Sequence, residues 1–318
     1  MTVIVADVGG TNTRVGLASD GPVDRASVAR FRNAEFAQLG DVLATYLAQR
    51  RLPAPQAVCV AIAGPVRHGI GRLTNRDWIV SSDELCRVTG AARAIVLNDL
   101  SAQGYAIDSV SVEPVLSRGR PAEMDPDETR LVIGIGTGFN AAPVYCRPGG
   151  LMVVPSECGH VTLPVWNETG RRLSGLLAEH HGFASVEDLL SGRGLPQSYR
   201  LLTGRTPPAD TEALLAQAEL QPDGPEAEML ALVIGTLGRV VGDLALTHLP
   251  FGGIILIGGL ARALTVHFDT FGFGEAMCDK GRFSEFLAQF QVFAMTDDYA
   301  ALDGCASFAR RGATFVPR

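Results

Sequence analysis

An α/β fold is predicted by three features of the sequence. Apolar segments of strand length alternate with segments of helical periodicity, one strand-turn-strand pattern occurs in both halves, and the chain has 318 residues. Alternating strands and helices indicate a sheet with parallel strands, and ligands collect beyond the carboxyl ends of such strands. A length of about two domains, at roughly 150 residues each, predicts two units that are distant copies of one another.

The first half starts with two strands that flank the glycine pair Gly9-Gly10. Apolar runs and helical spacing predict a strand over 2–8, a strand over 13–18, a helix over 35–49, a strand over 57–63 and a strand over 94–97. Ser81 followed by Glu84 has the form of a capping box, which predicts a short helix between the last two strands. The last strand delivers Asn98 and Asp99 at its carboxyl end.

The second half repeats the strand-turn-strand order around Gly136-Thr137-Gly138. The predicted elements are a strand over 131–135, a strand from that turn to 145, helices over 168–180, 185–190, 210–220 and 226–246, a strand over 251–257 and a helix over 300–310. We expect the last helix to pack on the first domain. The predicted small domain therefore comprises residues 1–108 and about 299–318, and the large domain comprises residues 109–298.

Composition excludes several classes of partner. Hydrophobic residues make up 47% of the chain and charged residues 19%, which is typical of a globular protein. The net charge of -7, without a basic run, argues against nucleic acid. The longest apolar stretch contains Arg239 and Asp243, so we expect a buried helix and no membrane span. Widely spaced cysteines without a CxxC pair, and no targeting segment, favour reduced thiols in the cytoplasm.

The distribution of lysine excludes two kinase classes. Lys280 is the only lysine in the chain. A Walker P-loop needs a lysine inside its glycine-rich turn, and a protein kinase needs one on an early strand. Any bound phosphate must therefore be held by backbone N–H groups, by a metal or by arginine.

Two glycine turns are candidates for phosphate binding, and a third glycine pair is a candidate for adenosine contact. The candidate residues are Asp7, Val8, Gly9, Gly10, Thr11 and Asn12 in the first turn, Gly136, Thr137 and Gly138 in the second, and Gly258 and Gly259 after the last strand. Glycine lets a backbone approach a phosphate closely, and Asp7 could hold Mg²⁺ through water. Taken alone, each turn is equally typical of ordinary hairpin or strand-to-helix geometry.

Acidic and amide side chains form a second set of candidates. Asp99 could accept the proton of a substrate hydroxyl during phosphoryl transfer, although a helix cap is as good an interpretation of Asn98-Asp99. Glu157, His160 and Glu187 fit the recognition of a sugar, whose buried hydroxyls need partners. Glu187 could instead be a first-turn carboxylate of a helix capped by Ser185, and His160 could be structural. No second Cys or His pair follows at zinc-ligand spacing.

Together these motifs resemble the bacterial glucokinase family of the sugar kinase, actin and heat-shock ATPase superfamily. The matching segments are ADVGGTNTR, AIAGPV, LTNRDW, LNDL, IGIGTG, ECGHVTLP, SVEDLLSGRGL, FGGIILIGG and DKGRF. The resemblance implies two ribonuclease-H-like, actin-like ATPase domains around a hinged interdomain cleft. It also implies a cytoplasmic, homodimeric enzyme of glycolysis that uses ATP and Mg²⁺ to phosphorylate glucose on its 6-hydroxyl.

Carried over by motif, the resemblance makes Asp99 the catalytic base and the three glycine turns the ATP clamp. Asn98, Asp99, Glu157, His160 and Glu187 would bind glucose. The related zinc-bearing ROK kinases share E-x-G-H, but their cysteine cluster is missing here, so we expect no zinc. A kinase for another hexose and a catalytically silent sugar-binding regulator remain as alternatives.

Three residues depart from the family's usual pattern, which has small glycines at these positions. They are Asn140 after the second glycine turn, and Ser156 and Cys158 on either side of Glu157. Asn tolerates positive φ, so we expect Asn140 to follow the turn with its side chain adding bulk beside the phosphates. Asn140→Gly is then predicted to leave glucose affinity almost unchanged.

Overall fold

The computed structural model describes residues 2–73, 76–116, 123–208 and 210–311. Within these ranges the chain forms two compact units. The first comprises residues up to 110 together with 147–155 and those from 297 onward, and the second comprises residues 111–146 and 156–296. The predicted domain limits, 108/109 and 298/299, did not include residues 147–155 in the small domain.

The amino-terminal elements of the first unit follow the predicted order. They are β1 (Val3–Val8), β2 (Asn12–Ala18), β3 (Val23–Arg32), α1 (Leu39–Arg50), β4 (Ala57–Ile62), β5 (Val66–Arg67), β6 (Ile70–Arg72), β7 (Ile79–Ser81), α2 (Ser82–Thr89), β8 (Arg93–Asn98) and α3 (Asp99–Tyr105). The Ser81 side chain accepts a hydrogen bond from the Glu84 N–H, as a capping box requires.

The remaining elements continue in chain order. They are β9 (Val112–Leu116), β10 (Arg130–Ile135), β11 (Phe139–Arg147), β12 (Gly150–Val153), α4 (Glu168–His181), α5 (Gly194–Thr203), α6 (Thr211–Leu220), α7 (Pro225–His248), β13 (Gly253–Ile257), α8 (Gly259–Thr265), α9 (Phe273–Cys278), α10 (Ser284–Leu287), β14 (Val292–Met295) and α11 (Ala300–Arg310). Of these, β12 and α11 belong to the first unit.

The sheet of the first unit combines a hairpin with parallel strands. Its order is β3-β2-β1-β4-β8, in which β1, β4 and β8 are parallel and β2 is antiparallel to both β1 and β3. Helix α11 packs on β1, β4 and α3, as predicted for the carboxyl-terminal helix. A Cβ at Gly304 would overlap the carbonyl oxygen of Ala102, so only glycine permits this close approach of α11 and α3.

The second unit repeats the same plan. Strand β10 pairs antiparallel with β11 and parallel with β13, β13 pairs parallel with β14, and β14 pairs antiparallel with β9. The predicted α/β class is therefore confirmed. Helix α7 is long and apolar enough to cross a membrane by length and composition alone, but its most apolar window is 72% buried inside the structure. It is the core helix that the sequence analysis predicted.

One predicted element is wrong. Residues 185–190 form consecutive turns and not a helix, and the next helix, α5, begins only at Gly194. The N–H groups of Val186 and Glu187 donate to the carbonyl oxygens of Val161 and Gly159, at 3.0 and 2.8 Å. This pairing with a distant loop ties the start of the segment to residues 159–161.

Candidate active site

The carboxyl ends of the parallel strands in the first unit place three loops at one edge of the sheet. In the strand register Val8 lies beside Ile62, and Ile62 lies beside Asn98. The turn after β1 and the residues Asn98-Asp99 after β8 therefore leave the sheet at the same level. This is the edge at which parallel α/β sheets bind ligands.

Asn33 holds the first glycine turn in shape. The Gly9 N–H donates to the Asn12 carbonyl at 3.0 Å, and the Asn33 amide donates to the Gly9 carbonyl at 2.8 Å. The Asn33 Oδ1 accepts from the Thr13 hydroxyl at 2.7 Å, and both side chains are fully buried. Sequence reasoning missed Asn33, which lies outside the glycine motif and is distant from it in sequence.

Removing the Asn33 side chain should loosen this turn. We expect Asn33→Ala to lower the free energy of unfolding by about 1–3 kcal/mol, because the buried Thr13 hydroxyl and Gly9 carbonyl lose their partner. We also expect weaker nucleotide binding than in the wild type. Urea unfolding and calorimetric titration with a non-hydrolysable ATP analogue measure the two effects. Unchanged nucleotide affinity in a destabilised variant would remove the turn from the nucleotide site.

Asp7 lies near the end of β1, directly opposite Arg14 of β2 in the register. Burial raises the pKa of the Asp7 carboxyl above its usual value, and the Arg14 guanidinium opposes that shift. A cation beside the carboxylate would favour its charged form in the same way. A bound cation at this position would therefore stabilise the ionised form of the Asp7 carboxyl.

Asn98 and Asp99 form the start of α3. The Asn98 Oδ1 accepts from the N–H groups of Leu100 and Ser101 at 3.1 and 3.2 Å, and its amide donates to the Gly64 carbonyl at 3.2 Å. The helix-cap interpretation of Asn98 is therefore correct, whatever further contact it makes. Asp99 is half-buried, and its Oδ1 accepts from the Leu100 N–H at 2.8 Å, which orients the carboxylate.

The second glycine turn, residues 136–138, is supported by a neighbouring loop. The Gly136 N–H donates to the Gly138 carbonyl at 2.9 Å, and the Gly136 carbonyl accepts from the Gly192 N–H at 2.8 Å. Arg193 donates from Nε to the Thr137 carbonyl at 3.2 Å. Gly192 and Arg193 belong to the segment SVEDLLSGRGL, but sequence reasoning gave neither of them a role.

The third glycine pair approaches this turn closely. Gly258 has a φ of +112°, and a Cβ there would overlap the Ile135 carbonyl oxygen, so glycine is required. A Cβ at Gly136 or Gly259 would meet no atom within 4 Å, so the space beside these two residues is open. The backbone of the second unit thus has an open surface at two of the predicted phosphate and adenosine contacts.

The sugar candidates Glu157, His160 and Glu187 lie together in the second unit. Glu157 and His160 lie on one exposed turn, in which the His160 N–H donates to the Glu157 carbonyl at 3.1 Å. Glu187 joins them because its N–H donates to the carbonyl of Gly159. Since residues 185–190 are not helical, the interpretation of Glu187 as a first-turn helix carboxylate is wrong.

The Glu187 carboxylate also contacts the second glycine turn. Its Oε2 accepts from the Phe139 N–H at 2.8 Å, and its Oε1 lies 3.1 Å from the Arg193 guanidinium. A Cβ at Gly138 would come within 2.6 Å of Glu187 Oε2. The glycine at position 138 is therefore needed to admit this carboxylate.

Asn140, Ser156 and Cys158, the three departures from the glycine pattern, contact one another. The Asn140 amide donates to the Ser156 carbonyl at 2.5 Å, and its Oδ1 accepts from the Cys158 N–H at 3.2 Å. The Asn140 side chain is therefore bonded to the loop that carries Glu157, a contact that the sequence did not predict. Its bulk beside the phosphates stays a prediction. Burial raises the pKa of the Cys158 thiol.

Within the described ranges, no group of three or more His, Cys, Asp or Glu side chains could hold a metal ion. The absence of zinc stays a prediction. Two residues of the LTNRDW segment, Thr74 and Asn75, lie outside the described residues.

Comparison with known proteins gives a consistent result. The sequence model of the family described as Glucokinase matches residues 4–312. A curated glucokinase of Chelativorans sp. (strain BNC1) is 31% identical over 321 residues, which cover 98% of this chain and 92% of the relative.

Solved structures of similar fold cover nearly the whole chain. A glucokinase from an Antarctic psychrotroph has a TM-score of 0.82 and 27% identity, and the match covers 98% of this chain and 99% of that one. A ROK family glucokinase from Streptomyces griseus, solved with glucose and AMPPNP, has a TM-score of 0.62 and 21% identity. That match covers 98% of this chain and 100% of the other, and it shows similarity of fold.

Proposed function

The chain belongs to the glucokinase family and is a sugar kinase, and we propose that it transfers the γ-phosphoryl group of ATP to the 6-hydroxyl of D-glucose. The observation that most supports this reaction is the grouping of Glu157, His160 and Glu187 beside a glycine turn. A polyol needs several fixed donors and acceptors, whereas a nucleotide phosphate needs backbone N–H groups. The second unit provides both kinds of group.

In this proposal Asp99 is the catalytic base. Its carboxylate, oriented by the Leu100 N–H, receives the proton of the sugar hydroxyl as the hydroxyl oxygen attacks phosphorus. Asn98 contributes to glucose binding in addition to capping α3. Because Asn98 is fixed by bonds to α3 and to Gly64, a contact from it to the sugar would be preorganised.

Glu157, His160 and Glu187 bind the remaining hydroxyl groups of the sugar. Glu157 and His160 are exposed on their turn, so their side chains are accessible to a ligand. Glu187 already accepts one N–H and contacts one guanidinium, which hold its carboxylate in one orientation. Together they discriminate sugars by leaving a buried polar group unpaired when a hydroxyl is missing or inverted.

The residues of the glycine turns fit a nucleotide with magnesium. The open space beside Gly136 and Gly259 allows the backbone approach that phosphates and adenosine need. The Asp7 carboxylate would hold magnesium through water. Magnesium–ATP, when bound, supplies the transferred group and neutralises phosphate charge. Gly10 and Thr11 provide the N–H donors of the first turn, because the Gly9 N–H is bonded to the Asn12 carbonyl.

A panel of hexoses tests the proposal. ADP release is followed with ATP and Mg²⁺ for glucose, mannose, fructose and glucosamine, and the product is identified by its phosphorylated position. We expect glucose to have the highest kcat/KM and the product to be glucose 6-phosphate. Preference for another hexose would establish the alternative kinase, and sugar binding without turnover would establish a silent regulator.

Turnover should require a divalent cation. Within the motifs proposed to bind ATP no lysine is present, so the phosphates have few other counterions. We expect activity to fall below about one hundredth of its value in excess chelator and to return with added Mg²⁺. Full turnover in the chelator would remove the metal from the mechanism. Metal analysis of the purified protein checks the proposed absence of zinc.

Two further properties are proposed from the family resemblance alone. They are a cytoplasmic location and a homodimeric assembly. Light scattering coupled to gel filtration decides the second, and a monomer at micromolar concentration would contradict it.

A further inference from the structure

The Asn140 side chain makes all its described hydrogen bonds to its own neighbour and to one loop. Its Oδ1 accepts from the N–H groups of Ala141 and Cys158 at 2.9 and 3.2 Å. Its amide nitrogen carries two protons and donates to the Ser156 carbonyl at 2.5 Å and, more weakly, to Glu157 Oε2 at 3.5 Å. One side chain therefore contacts three consecutive residues of the loop, with the sugar candidate Glu157 in the middle.

The bonds from Asn140 matter because the chain that leads into Glu157 is exposed. Residues 154 and 155 are exposed, and Glu157 is exposed as well. The Ser156 hydroxyl adds a contact to the Ala141 carbonyl at 2.7 Å, so Ser156 is bonded to both residues 140 and 141 of β11. These bonds connect the loop to a buried strand, and Asn140 supplies most of them.

Residues 139 and 140 thus connect the second glycine turn to the sugar candidates by hydrogen bonds. The Phe139 N–H bonds Glu187, and the Asn140 amide bonds the residues around Glu157. Both residues directly follow Gly138 of the turn. The Glu157 carboxylate would have several rotamers on an exposed turn, and the Asn140 N–H at its Oε2 favours one of them.

From this geometry we infer that Asn140 is a positioning residue for the sugar site, which orients Glu157 and holds loop 156–158 in the conformation that binds glucose. The inference rests on the proposed function, since it assigns Glu157 to the sugar. It extends that proposal by naming a residue that touches neither substrate and still sets sugar affinity. The carboxylate at Glu157 is the group through which Asn140 acts.

A double-mutant cycle tests this inference. Glucose binding is measured by calorimetry for the wild type, Asn140→Ala, Glu157→Gln and the double variant. We expect Asn140→Ala to raise the glucose Kd about tenfold, because loop 156–158 loses its bonds to the Asn140 side chain and Glu157 is no longer oriented. In the Glu157→Gln background the same change should raise it by less than about threefold, because the two residues act together. KM for ATP should change by less than about twofold.

Asn167→Ala is the matched control. Asn167 caps α4, where its Oδ1 accepts from the Gly170 N–H at 2.7 Å. Its removal lowers Tm without touching the sugar loop, so glucose Kd should stay at the wild-type value. An equal weakening of glucose binding in Asn167→Ala would show that any loss of stability has this effect, and the inference would be wrong.

The remaining outcomes are also decisive. Wild-type Kd in Asn140→Ala, or full additivity in the cycle, would overturn the role of Asn140 while leaving the proposed function intact. A wild-type protein that binds no glucose would overturn the proposed function and the inference together. If Asn140→Ala does not fold, Asn140→Asp replaces it. That variant keeps the acceptor for the Cys158 N–H but puts a carboxylate beside Glu157, and we expect weaker glucose binding from it as well.

Discussion

Asp99→Asn is expected to lower kcat by ~10²- to 10⁴-fold while glucose and ATP still bind. The amide keeps the shape and the bond to the Leu100 N–H, because its carbonyl oxygen can replace Oδ1. It cannot take up the proton of the sugar hydroxyl. The loss should therefore appear in kcat, measured by ADP release, with the glucose Kd from calorimetry changed by no more than a few-fold.

Asp83→Asn provides the matched control for this prediction. Asp83 lies in the first turn of α2 in the same unit and is exposed, so the same change removes an acidic side chain from a helix start without a proposed chemical role. Its kcat should equal that of the wild type. If Asp99→Asn retained more than about a tenth of wild-type kcat, Asp99 would not be the base, since such a base contributes at least ~10²-fold.

The sequence predicted the positions of most strands and helices well, because the strands are strongly apolar. The runs 131–135 and 57–63 are short, apolar and followed by glycine, which favours a buried strand, and the structure places β10 and β4 there. The helix over 300–310 coincides with α11 for a similar reason, since its small residues form one buried face against β1 and α3.

Local signals failed where distant backbone groups competed. Ser185 and Asp188 look like the start of a helix, and they do form one turn, in which the Asp188 carboxylate accepts from the Ser185 N–H at 2.8 Å. The following residues bond to the loop that carries Glu157, because the Glu187 N–H donates to the Gly159 carbonyl. A pattern within six residues contains no information about that partner.

Motifs in the sequence predicted the site residues, and these stay a prediction, but no motif indicated the contacts that support them. Asn33 and Asn140 are uncharged and stand outside the glycine motifs, so nothing in their local sequence indicates that they bond to functional loops. Asn140 was singled out only as a departure from a family pattern, and its bonds to residues 156–158 were not predicted. Its partner is determined by the hydrogen bonds between β11 and residues 156–158, which only the fold brings together.

The glycine between Cys158 and His160 should be among the least replaceable residues of the second unit. A Cβ at Gly159 would overlap the Phe139 carbonyl oxygen and lie 3.4 Å from Glu187 Oε2. Both neighbours are held in place, Phe139 by the strand β11 and Glu187 by its bond to the Phe139 N–H. The loop must therefore move away, and with it the Gly159 carbonyl that accepts from Glu187.

Gly159→Ala is accordingly expected to reduce kcat/KM for glucose by more than ~10²-fold, equivalent to ~2.7 kcal/mol, because Glu157, His160 and Glu187 are displaced together. The free energy of unfolding should fall by about 1–3 kcal/mol, which is the usual loss of stability when a methyl group is forced into a closely packed position. Gly175→Ala is the control: Gly175 is an exposed interior residue of α4 whose added Cβ would meet nothing within 4 Å. That variant should gain roughly 0.5–1 kcal/mol of stability and keep wild-type kinetics. Wild-type glucose kinetics in Gly159→Ala would show that the contact between residues 159 and 187 does not shape the sugar site.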